Sequence, residues 1–143
     1  MNDKIKHQEN LNLDIFEKAV YSLKQALEEY AKDKKNVYVR DSCIKRFEYC
    51  YDLSTKIIKR FLKITAENTD DIQSMDFQNI IRLAYTKKIL RNSWDKWWEY
   101  RDNRNKTSHG YDENNAIEIV EELEFFYNEI LFLLDVLKNK NEA

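Results

Sequence analysis

Arg104-Asn105-Lys106-Thr107-Ser108-His109-Gly110-Tyr111 contains the one glycine of a 143-residue chain that has no proline. A sheet would need more turn residues than this composition supplies, so the chain reads as all-α. Helices are expected on both sides of the stretch. After it, Ile119, Leu123, Phe126, Ile130, Leu133 and Leu137 recur at spacings of three and four. That stripe predicts a last helix running to about residue 138, with Asp112 as its N-cap. Before it, a segment from about 92 to 104 carries Trp94, Trp97 and Trp98 and runs into the motif.

Further upstream the same period returns twice. Leu13, Phe16, Val20, Leu23, Leu27 and Tyr30 predict a helix over about 11–32, and Ile44, Phe47, Tyr51, Ser54, Ile58 and Phe61 a second over about 39–65, with Ser54 a small polar break in its stripe. A polar connection at 67–71 precedes a shorter helix carrying Phe77, Ile80, Ile81 and Ala84, for which Ser74 is a candidate cap. Three long stripes and two short ones predict an antiparallel, up-and-down bundle of four or five helices. Residues 1–11 are expected to form a polar tail, with no role for His7, followed by one domain over 12–138 and a frayed end at 139–143.

Charge is distributed unevenly. From Arg82 to His109 there are eight Lys/Arg against three acids, a net +5, whereas Gly110 to Asp135 holds eight acids and no Lys or Arg, a net −8, in a chain of net charge −2. The motif lies where the two stretches meet. Either both are solvated helix faces, or the basic stretch meets phosphate while the acidic one limits non-specific contact with nucleic acid.

Cys43 and Cys50 are seven residues apart on one predicted helix, about 10 Å of rise, too far to bridge without unwinding it. They read as small core residues rather than nucleophiles. With no signal peptide and no apolar run long enough for a membrane span, the expectation is a reduced, cytoplasmic protein with no membrane partner. Three Trp within five residues read as core or dimer surface, or, where exposed, as a platform for bases.

The motif has its own chemistry. Arg104 and His109 would lie about 140° apart on an unbroken helix, so a break between them is needed for the two side chains to converge. A guanidinium keeps its charge at any working pH and binds two phosphate oxygens. An imidazole moves a proton near neutral pH, from a ribose 2′-hydroxyl or to a leaving oxygen. Attack by the 2′-hydroxyl requires no metal, and the chain carries no HExxH, no Cys/His quartet and no aspartate cluster; a single glycine also rules out a phosphate-binding loop and a dinucleotide fingerprint. No cofactor is expected. The plain alternative is structural, with Arg104 on the last helical carbonyls, His109 as a cap and Tyr111 stapling the loop.

These residues resemble the Arg-x4-His-x-Tyr signature of the HEPN (higher eukaryotes and prokaryotes nucleotide-binding) superfamily, in particular its branch of nucleotidyltransferase substrate-binding proteins. Val39 through Glu48 with Leu53-Ser54-Thr55-Lys56, and Trp98 through Glu113, are similar to that branch, and the likeness extends over about 12–137. The resemblance implies a helical bundle, usually a homodimer, paired with a minimal nucleotidyltransferase. Related members are metal-independent endoribonuclease toxins, silenced when that partner adenylylates the motif tyrosine. Carried over, Arg104 would stabilise the phosphorane, His109 would be the general acid/base and Tyr111 the modified residue. Asp102, Asn105, Ser108 and Gly110 would support them, with Asp102 and Asn105 orienting Arg104 or the backbone. Arg40, Asp41, Arg46 and Glu48 would form either a buried ion-pair network or part of a binding site. The alternatives are a non-catalytic subunit that binds nucleotide or acceptor for the nucleotidyltransferase, and a helical interaction module.

Overall fold

The computed structural model describes residues 11–109 and 112–142, with the side chain of Glu142 excluded, and Gly110, Tyr111 and His7 fall outside this set. Six helices are present among the described residues: α1 (Asp14–Lys32), α2 (Val37–Thr65), α3 (Thr69–Gln73), α4 (Phe77–Thr86), α5 (Trp94–Thr107) and α6 (Glu113–Glu142). The bundle is all-α, with one helix more than the sequence stripes suggested. The addition is α3, a five-residue turn inside the polar connection, capped by the Asn68 side chain on Asp70 N–H. Ser74 ends α3, and the cap of α4 is Asp76, whose carboxylate accepts from Asn79 N–H at 2.9 Å.

Cross-helix contacts fix the register. On α1 and α2, Cys50 Sγ meets the Ala19 carbonyl while Arg46 Nη1 donates to the Ser22 carbonyl, so the helices run antiparallel. Tyr30 pairs with Glu121 and Glu17 with Lys138, which sets α6 antiparallel to α1. Asn103 meets Glu122 and Tyr100 meets Glu129, which sets α5 antiparallel to α6. Four acids of the acidic α6 stretch are used in joints: Glu113 to α2, Glu121 to α1, Glu122 to α5 and Glu129 to the connection before α5.

α2, α5 and α6 meet at an aromatic centre. Phe126 lies edge-on to Phe47 at 5.0 Å and to Tyr100 at 5.3 Å, and Trp97 packs at 5.3 Å against Tyr100 and 6.3 Å from Tyr51. Such edge-to-face contacts stabilise beyond the area they bury. Ser54, the polar break in the α2 stripe, is buried, and its hydroxyl donates to the Tyr51 carbonyl at 2.8 Å. Cys43 and Cys50 are free, buried thiols, and burial pushes them up to about 11 and about 12 respectively, so both are core residues.

α6 continues past 138 to Glu142, where Asn141 Nδ2 donates to the carbonyl of Leu11, itself buried. These last contacts are polar, and a hydrophobic stripe cannot reveal them. Lys88, just beyond α4, adopts φ 67°, the left-handed conformation that usually falls to glycine at a helix end. A conformation that favours glycine thus falls here on a lysine.

Candidate active site at the end of helix α5

α5 starts at Trp94, just after its N-cap Ser93, and ends with Thr107, after which Ser108 N–H bonds back to the Asn105 carbonyl and His109 N–H to the Lys106 carbonyl. Arg104 occupies the last turn. Its guanidinium, partly exposed, forks onto Asp52 of α2: Nε donates to Oδ1 and Nη2 to Oδ2, both at 3.1 Å. Nη1 donates to Glu48 Oε2 at 3.3 Å, Thr107 Oγ1 at 3.2 Å and Ser108 Oγ at 3.0 Å. The bond to Asp52 raises Arg104 above the usual arginine range, with the Glu48 charge adding to it. Paired, planar contacts of this kind are shorter-ranged and more directional than a simple charge attraction.

His109 stands two residues past the helix, exposed. Arg104 and His109 therefore flank the break that the motif predicted. Asp112 caps the helix that follows, its carboxylate accepting from the N–H of Asn114 at 3.0 Å and of Asn115 at 3.2 Å. Gly110 and Tyr111, between these two anchors, lie outside the described residues.

The supporting residues divide between Arg104 and other partners. Asp102 pairs with Lys106 at 3.1 Å rather than with Arg104, because a spacing of four places those two on one helix face. Asn105 is exposed and contributes its carbonyl to the Ser108 turn. Ser108 does meet Arg104. Of the α2 group, Glu48 joins the Arg104 cluster, Arg46 ties α2 to the Ser22 carbonyl at 2.7 Å, and buried Arg40 pairs with Glu113 at 3.4 Å, so both arginines serve as joints between helices. Asp41 is exposed. Asp52, the principal partner of Arg104, carried no signal in sequence beyond lying four residues after Glu48 on the same face of α2.

Trp97 is fully buried, whereas Trp98 is 54% exposed on the same helix as Arg104. Among the described residues no group of three or more His, Cys, Asp or Glu is placed to hold a metal ion, and no helix is long and apolar enough to cross a membrane.

Fold and site together define a helical-bundle domain that presents an arginine and a histidine at one helix end, braced by a carboxylate from a neighbouring helix. The chain belongs to the family described as nucleotidyltransferase substrate binding protein like, matched over residues 11–139, and so to that branch of the HEPN superfamily. It is 36% identical over 142 residues to a Haemophilus influenzae protein named probable ribonuclease HepT, covering 94% of this chain and 97% of the relative. A solved H. influenzae structure, described as having the fold of a substrate binding domain of a nucleotidyltransferase, matches with a TM-score of 0.82 at 35% identity, over 89% of this chain and 99% of that one.

Proposed function

We propose that this chain is a metal-independent endoribonuclease toxin paired with a minimal nucleotidyltransferase, and that the partner silences it by attaching adenylate to Tyr111. The observation that carries the reading is the end of α5, where Arg104 and the exposed His109 flank a helix break. The relative's name, probable ribonuclease HepT, supports it.

In this reading the ribose 2′-oxygen attacks the adjacent phosphorus as His109 takes its proton. The bond to the 5′-oxygen breaks, that oxygen takes a proton from water, and a 2′,3′-cyclic phosphate remains. Arg104 offsets the charge that builds on the phosphoryl oxygens. Two copies of the chain pair so that both Arg104–His109 sets line one cleft; sedimentation velocity tests whether the chain is a dimer at all.

A second reading has an observation of its own. Two carboxylates already occupy most of the Arg104 guanidinium, which suits a subunit that presents a nucleotide or acceptor to the nucleotidyltransferase without cleaving RNA. The deciding experiment is incubation of purified chain with mixed RNA in excess EDTA, beside Arg104→Ala and His109→Ala. Cyclic phosphate ends that vanish in both variants support the nuclease. No cleavage by protein whose intact mass shows unmodified Tyr111 overturns it and favours the binding subunit.

A further inference from the structure

A guanidinium has five N–H donors. Around Arg104, Asp52 takes Nε–H and one N–H of Nη2, while the two of Nη1 serve Glu48, Thr107 and Ser108. Among the described residues, one Nη2 N–H is left without an acceptor. Thr107 and Ser108 belong to the same helix end as Arg104 and move with it, so among the described residues it is α2 that sets the plane of the group relative to the rest of the bundle. Asp52 does so with two parallel bonds, whereas Glu48 contributes one longer bond. Tyr51, the residue before Asp52, packs in the aromatic centre with Trp97 of α5 and Phe126 of α6, which gives the carboxylate a fixed base.

We propose that Asp52 is the positioning residue for Arg104: its two-bonded fork sets the guanidinium plane and leaves one Nη2 N–H for an oxygen of the substrate phosphate. This assignment rests on the ribonuclease reading above. Asp52 touches neither the substrate nor the proton in flight; it acts through Arg104. A carboxylate in this place also competes with phosphate for the same guanidinium, so the opposite effect, in which Asp52 obstructs binding, has to be distinguished by experiment. The rigidity of the two-bonded contact favours positioning, since a misplacement of about 1 Å at a reacting centre costs on the order of 100-fold in rate.

The test combines kinetics with a measurement that needs no cleavage. RNA cleavage in EDTA is followed over a range of RNA concentrations for the wild type, Asp52→Asn and Asp52→Glu, with melting curves to confirm folding. Expected for Asp52→Asn is a loss of about 10- to 100-fold in kcat with KM changed by less than about threefold, and partial recovery in Asp52→Glu. An unchanged kcat, or faster cleavage with lower KM, overturns the proposal. In parallel, the Arg104 Nε–H resonance, assigned by its loss in Arg104→Lys, is recorded in the wild type and in Asp52→Asn. Slowed side-chain rotation in the wild type that is released in Asp52→Asn supports the fork even if the wild type cuts no RNA, in which case the nuclease reading alone fails. An Arg104 signal that is mobile in both proteins overturns the proposal whatever the cleavage result.

Discussion

The Glu129 carboxylate, fully buried on α6, accepts the side-chain amide of Asn92 at 2.9 Å, and its other oxygen accepts Arg91 N–H at 2.7 Å. One side chain thereby ties the last helix to the segment that leads into α5. Tyr100 Oη also reaches Glu129, at 3.4 Å. Burial raises the Glu129 pKa above its ordinary value of 4.5, with the Asn92 and Arg91 bonds opposing the shift.

Between the unfolded and the raised folded pKa, the native state holds more protons than the unfolded state, so this carboxylate subtracts stability as pH rises from about 4.5. Glu129→Gln should gain stability relative to wild type as pH increases through that window, on top of a pH-independent cost for the altered hydrogen bonds. Urea midpoints of both proteins from pH 4 to 8 check it, and a constant difference would contradict it.

Lys88 holds a left-handed backbone at the end of α4, with Ile89 N–H bonded to the Ala84 carbonyl at 3.2 Å. A side chain at such a position costs about 1 kcal/mol relative to glycine. Lys88→Gly should therefore stabilise the chain by about 0.5–1 kcal/mol in denaturant unfolding.

Cys43 and Cys50, held near 11 and 12 by burial, should resist thiol reagents in the folded protein at pH 8 and react at once in urea. Rapid labelling under native conditions would show that α1 and α2 open far more readily than their packing implies.

Phe126 touches Phe47, Tyr51, Trp97 and Tyr100 together. Phe126→Ala should cost about 3–5 kcal/mol, because the cavity lies between three helices that cannot all close upon it. Chemical denaturation measures the loss. Near-ultraviolet circular dichroism should weaken as Trp97 loses its fixed surroundings.

Much of this arrangement is legible in the sequence because apolar period and helix caps act locally. The stripes of α1, α2 and α6 and the Asp112 cap can be read directly, and so can the helix end between Arg104 and His109. The partners of Arg104 cannot. Asp102 and Asn105 were the natural candidates from proximity along the chain, yet Asp102 has a closer cation in Lys106. Asp52 is one acid among many in a chain that is 35% charged, and only the packing of α2 on α5 selects it. α3 and the Lys88 turn were hidden for a related reason: each is set by hydrogen bonds over a few residues with little hydrophobic pattern.

The fork between Asp52 and Arg104 joins residues 52 positions apart, and its footing in the aromatic centre includes Phe126. The two partners of the fork therefore meet only when α2, α5 and α6 have packed together, a long-range closure that local helix formation cannot supply. A segment carrying the whole motif but not α2 lacks the finished site. Any activity that depends on this geometry therefore belongs to the packed bundle and not to its isolated helices.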